Sequence, residues 1–263
     1  MTQRLSHIIV VLALGLALAG CVSATDTPDA PSGSASTSAD GVSAIVVQAG
    51  EQTLATGSAR FSATMTTPGS AGTQVTMDGT VNFAKNEVEA NLKSKGPGGN
   101  GRMRLISADG VLYIKTNQAP KWMKTTAGQL GEIASPSEGL ANLDSITGMK
   151  KVGSEKVAGV RATKYQGTLD LLTALGSASM SDENRQALEQ QMQGATAKVT
   201  VWIDGDGRVL QFKHKGDIVT AEGLGVQYES TMRFYDFGVA SNIKPPPASD
   251  VVDAGELTDM VTK

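Results

Sequence analysis

The sequence holds one cysteine, two histidines and few aromatic rings, which make up 4% of its 263 residues. Each scarcity removes a class of function. A lone thiol, Cys21, can close no intrachain disulfide and can build no cysteine-based metal centre. Beyond it, the chain has to fold on its hydrophobic core, and a chain of this length can bury a large one. Sparse aromatics leave little from which to build stacking platforms for sugars or bases. The formal net charge is −3 with both signs interspersed, so nucleic acid is not expected as a partner. After the first twenty residues no segment is apolar for long enough to cross a bilayer as a helix.

The N-terminus is where apolar residues concentrate. Arg4 and His7 lie in a short basic leader, and Ile8 to Leu18 is an uncharged apolar run. This is the layout of an export signal, and the run is too short for a good spanning helix. Leu18-Ala19-Gly20-Cys21 resembles the bacterial lipobox, in which the cysteine takes a thioether-linked diacylglycerol and becomes the new N-terminus after cleavage. The sequence therefore predicts a signal peptide over 1–20, lipidation at Cys21, and a lipid anchor in the cell membrane on its extracytoplasmic face. The alternative is a soluble secreted protein with a spare cysteine beside its cleavage site. Val22 to Asp40, VSATDTPDAPSGSASTSAD, offers almost nothing to bury. It reads as a flexible tether, 21–40 with the cysteine, reaching roughly 65 Å stretched and about 25 Å on average.

A folded domain is expected over 41–263. Val42, Ile45, Val46 and Ala49 recur at helical spacing. The period then changes to two. Phe61 and Met65 share one face of RFSATMT, and Val75, Met77, Val81 and Phe83 one face of the next stretch. Val88 and Leu92, then Met103 and Leu105, continue it across the glycine-rich loop Gly96 to Gly101. Ala134 to Gly148 reads as loop plus a short helix, and LLTALG and DENRQALEQQM as helical. ATAKVTVWIDGDGRVLQFKHK is the clearest hairpin, with Val199, Val201 and Ile203 facing Leu210 and Phe212 across a Gly-Asp-Gly turn. VQYESTMRFYDFG closes the sheet, and Pro245-Pro246-Pro247 is expected to end it, since proline cannot donate to a ladder. The fold class is α+β: a long antiparallel sheet of about ten strands, apolar on one face, thinly covered by three or four short helices.

DGVLYIKT, KWMK, VGSEKVAGVRATKYQGTLDL, VTVWIDGDGRVLQFKHK and FYDFGVASNIKPPPASDVVD, following the lipobox and the Ser/Thr/Pro tether, resemble in order the actinobacterial LppX/LprA/LprF/LprG lipoproteins. The resemblance runs over most of Gly41 to Asp253. It implies a strongly curved half-barrel, similar to LolA/LolB and RseB-like folds, with helices packed in the concave face. Between sheet and helices it implies an apolar cavity for acyl chains of envelope lipids or lipoglycans. The inward residues Phe61, Met65, Val75, Met77, Val81, Phe83, Val88, Leu92, Met103, Leu105, Val199, Val201, Ile203, Leu210 and Phe212 are the candidate lining; each is equally a candidate core residue.

Catalytic chemistry finds little footing. His214 is the one histidine after the leader. By alternation with Phe212 it faces inward, near a strand end, and no nucleophile elbow accompanies it. Asp204-Gly205-Asp206-Gly207 could open a calcium loop, but the twelfth position, where a bidentate carboxylate is needed, is Lys215. Lys93, Lys95, Arg102 and Arg104 flank the glycine loop, where they either solvate a hairpin or meet anionic headgroups. The methionines, Met65, Met77, Met103, Met123, Met180, Met192 and Met232, suit either core filling or an irregular apolar guest. The loops Gly131 to Gly148 and Gly176 to Ser181 are candidate gates. No enzyme, metal or cofactor is expected. Two functions remain: a membrane-tethered lipid or lipoglycan carrier with an envelope transport partner, or a protein-binding or signalling module on the same half-barrel.

Overall fold

The computed structural model describes residues 39–67, 72–97, 99–117, 119–126, 136–170, 195–219 and 225–253. The expected signal peptide, Cys21, nearly all of the tether, the helical stretches between 171 and 192 and the tail after 253 lie outside the described residues.

The chain is an open, curved sheet of twelve described strands built from two meanders. The first comprises β1 (Ser58–Thr67), β2 (Thr73–Asn82), β3 (Glu87–Gly96), β4 (Gly99–Ala108), β5 (Val111–Thr116) and β6 (Trp122–Thr126). The second comprises β7 (Ile146–Val157), β8 (Val160–Asp170), β9 (Thr196–Asp204), β10 (Val209–Val219) and β11 (Gly225–Tyr235). They join in the middle, where β1 pairs with β11 in the register Phe61↔Phe234. β12 (Val251–Asp253) is the last strand, and the order is β12-β6-β5-β4-β3-β2-β1-β11-β10-β9-β8-β7.

Two expectations about strand ends are corrected. The triple proline does not end the sheet: the chain passes it, makes one 3-10 turn and lays β12 parallel to β6, Val251 opposite Trp122. The prolines precede the strand, so no ladder hydrogen bond is asked of them. The segment leading there crosses the outer face, where Ile243 buries against Ile106, Ala108 and Trp122. The glycine loop is also shorter than expected, because Gly96 already pairs with Gly99.

Alternation makes the sheet one-sided in the main, and small residues let it bend. A Cβ on Gly79 would stand 2.2 Å from the Glu89 carbonyl oxygen, and one on Gly167 2.6 Å from Ile146. Both positions tolerate glycine alone at that approach. Register shifts interrupt β7 at Lys150 and Gly153 and β10 between Val209 and Gln211, and bulges of this kind sharpen strand curvature.

Helix α1 (Ala39–Leu54) fills the concave side, lying mainly on β7 and touching β9 and β10. Val42, Val46, Ala49 and Thr53 form its buried stripe, at the i, i+4, i+7, i+11 spacing of one helix face. Ile45, predicted for that stripe, is 40% exposed because it lies off the axis those four define. The short α2 (Pro136–Ala141) packs across α1 at Gly50, where a Cβ would meet the Leu140 carbonyl oxygen at 2.5 Å.

Thr53 ties helix to sheet. Its hydroxyl donates to Ala49 O at 2.7 Å and accepts from the Val209 N–H at 2.8 Å, beside the bulge in β10. Thr53→Val keeps the shape and strands a buried donor, so it should destabilise the fold by about 1–3 kcal/mol in urea unfolding. An unchanged midpoint would show that the bulge needs no such partner.

Candidate functional site: the apolar inner face

Strand register puts the odd residues of β1, β2, β4 and β9 and the even residues of β3, β5 and β11 on the inner face. There the structure gathers Phe61, Val81, Phe83, Val199, Val201, Ile203 and Phe212 into one buried cluster with α1, α2, Tyr165 and Phe234; Met77 and Val88 are half-buried against it. The Phe83 and Phe234 rings meet edge-on at 6.1 Å, and Phe212 lies 5.9 Å from Phe234. This half of the inner face is filled by the protein itself. Gly139 of α2 is pressed so close to Phe212 that a Cβ would sit 3.2 Å from the ring. In the described part of the candidate gate, 136–148, Leu140, Leu143 and Ile146 are buried in the core while Ala141, Asp144, Thr147 and Gly148 are exposed, and β7 already begins at Ile146; Gly131 to Ser135 and Gly176 to Ser181 lie outside the described residues.

The other half differs. Leu92, Leu105, Leu112 and Ile114 are buried, and Val75, Met77, Met103 and Met123 surround them half-buried. Met65 is half-buried on the same face, opposite Val75 and Ser230. Met77 touches both clusters. Met103 and Met123 join Met77 here, whereas Met149 and Met232 pack in the other half, and among the described residues this part of the apolar face is incompletely covered.

Leu210 is the one candidate on the wrong side. Simple alternation from Phe212 points it inward, but the bulge in β10 inserts a residue there. Val209 takes the inner position and is fully buried, while Leu210 packs outside with Val157, Ala162 and Trp202. Leu112 and Ile114 were missed, although the alternation in VLYIKT carries them.

His214 stands mid-strand in β10 and not near its end. It faces inward, opposite Val199 and Ser230, with its ring 5.4 Å from Phe212. Part of its surface remains exposed, yet burial of the imidazole pushes its pKa down to about 4. The folded pKa is below the unfolded value near 6.5, so the unfolded chain binds the proton more readily. His214 therefore contributes fully above pH 6.5 and progressively less as pH falls towards 4. Urea unfolding at pH 7 and pH 4.5 should show wild type losing on the order of 2 kcal/mol more than His214→Gln. Equal losses would contradict this burial.

The outer face is polar, with a groove of about 430 Å³ between Glu155, Lys164, Lys198, Trp202, Lys213 and Lys215. Trp202 Nε1 donates to Glu155 Oε1, and that bond, helped by Lys164, holds Glu155 below the usual carboxylate range. A second polar groove of about 390 Å³ lies beside Lys93, Arg102, Arg104 and Lys115, where Arg104 pairs with Glu89 at 2.5 Å. Lys213 likewise pairs with Glu229 at 2.7 Å. Asp204-Gly205-Asp206-Gly207 is a turn: the Asp204 carboxylate accepts from Asp206 N, Arg208 N and the Arg208 guanidinium. Gly207 adopts φ 77°, and the Asp204 carboxylate is committed to closing the hairpin. Among the described residues no group of acidic, histidine and cysteine side chains could hold a metal, and no helix is long and apolar enough to cross a membrane.

Comparison with known proteins gives four matches of note. An uncharacterised 31.2 kDa protein of Streptomyces griseus, encoded between rplA and rplJ, is 33% identical over 129 residues, 47% of this chain and 40% of that one. The chain thus matches less than half of that relative's length. The crystal structure of the Mycobacterium tuberculosis lipoprotein LppX superposes with a TM-score of 0.50 at 16% identity, covering 79% of this chain and all of that one; this likeness shows the fold. LprF from Mycobacterium bovis superposes at 0.48 with 14% identity, over 79% of this chain and 97% of that one. The family model of the LppX_LprAFG lipoproteins matches residues 41–239. That span covers most of the chain, and the chain belongs to the LppX_LprAFG lipoprotein family.

Proposed function

We propose that the chain is a lipoprotein moored by Cys21 to the extracytoplasmic face of the cell membrane, binding acyl chains of a lipid or lipoglycan on its inner face and carrying or presenting them. The observation that carries this reading is the asymmetry of the inner face. One half is packed solid by α1 and α2, whereas Val75, Met77, Met103 and Met123 stay half-buried around Leu92, Leu105, Leu112 and Ile114. Methionine adapts to irregular apolar shapes, and each acyl CH₂ buried there contributes about 0.8 kcal/mol. Membership of a lipoprotein family and the lipobox at Leu18 to Cys21 support the mooring. The tether then lets the domain reach a membrane surface without ordering it.

No covalent chemistry is needed for this work. His214 is held uncharged among apolar neighbours, and its inner-face partners Val199 and Ser230 supply no carboxylate to orient it. The protein acts by binding alone.

The test uses the full chain with Cys21→Ser, which carries no covalent lipid. Native mass spectrometry and analysis of its organic extract should find lipid bound in stoichiometric amount, released on denaturation. An empty protein that also ignores added diacylglycerol vesicles would refute the reading.

A further inference from the structure

Among the described residues, one buried hydroxyl on the inner face has no partner. Tyr228, in β11, is 3% exposed, and its Oη makes no hydrogen bond. The ring is held firmly. Tyr228 stands opposite Gly216, which stands opposite Ala197. A Cβ on Gly216 would lie 3.2 Å from Tyr228 Cε1 and 3.2 Å from the Ala197 methyl. The tyrosine thus lies over a floor made of the two smallest side chains, and a methyl group at Gly216 would crowd its ring. His214 is its diagonal neighbour across the strand pair, next to Ser230.

An unpaired buried hydroxyl weakens the fold that contains it, and native structures avoid the arrangement unless something else uses the group. Building on the lipid-binding reading above, we infer that Tyr228 Oη donates a hydrogen bond to an ester carbonyl of the bound acyl lipid. The surroundings select the kind of acceptor. Ala197, Val199, Gly216 and Ser230 carry no charge. Burial raises the Tyr228 phenol to about 12 and lowers His214 to about 4, so both are neutral at pH 7. Neutral groups on an apolar floor suit an uncharged acceptor and offer nothing to balance a phosphate. Aliphatic chains on the methionine half would then be fixed in depth by one polar contact at their ester end.

The experiment compares ester lipids with their ether counterparts, which keep the chains and lack the carbonyl. Dioleoylglycerol and dioleoyl-phosphatidylglycerol, each against its dialkyl analogue, are titrated into the full Cys21→Ser chain and into the same chain with Tyr228→Phe. Wild type should bind the ester about three- to tenfold more tightly than the ether, the value of one neutral hydrogen bond. Tyr228→Phe should bind both equally and about as well as wild type binds the ether. The lipid showing the larger preference identifies the source of the ester. Ligand-free Tyr228→Phe should melt no lower than wild type, because the hydroxyl it loses was unpaired. An ester preference that survives in Tyr228→Phe, or one absent from wild type that still binds both lipids, overturns the inference and leaves the carrier reading intact. Failure of wild type to bind any of the four overturns both.

Discussion

The structure depends on covering one face of a very wide sheet, and α1 is the main described element that does so. Its stripe of Val42, Val46, Ala49 and Thr53 is narrow, and it cannot reach across twelve strands. What fixes its position is the Thr53 hydroxyl, which bonds back to Ala49 and forward to the Val209 N–H. That contact seats the helix on the second meander, beside the bulge that curves β10. Everything else on the inner face follows from where the helix lies. Under it, phenylalanines and valines close-pack with Met149; away from it, Met103 and Met123 stand half-covered.

The same division separates the packed core from the face proposed to bind lipid. The close-packed half carries Phe61, Phe234, Val81, Val199 and Val201, all essentially removed from water, and large-to-small changes there are felt as cavities. In the methionine half Val75, Met77, Met103 and Met123 contribute less to folding than buried residues do, because part of each surface stays exposed. That exposed remainder is the area a guest can bury. The outer face plays no part in this: it is mainly polar, and each of its two tryptophans sits in a small satellite apolar cluster.

Much of this was legible in the sequence. Period-two alternation placed most candidate lining residues on the correct face, and the Gly-Asp-Gly turn was identifiable from its own residues. What misled was local and physical. Leu210 obeyed the alternation until one extra residue in β10 turned it outward, and nothing in RVLQF announces a bulge. Ile45 matched the helical period yet fell just off the stripe. The prolines argued for an end to the sheet, when the strand they preceded needed only the residues after them. His214 was visible as an inward residue, but its adjacency to Tyr228 exists only through the β10–β11 register, which a single sequence does not print.

Acyl chains are proposed to occupy the methionine half and to leave the packed half alone. Methyl-labelled methionine NMR of the full Cys21→Ser chain, titrated with dioleoylglycerol, tests it directly. Met77, Met103 and Met123 should shift, while Met149, 1% exposed in the packed cluster, should not. A shift at Met149 with silence at the other three would place the guest elsewhere and contradict the account.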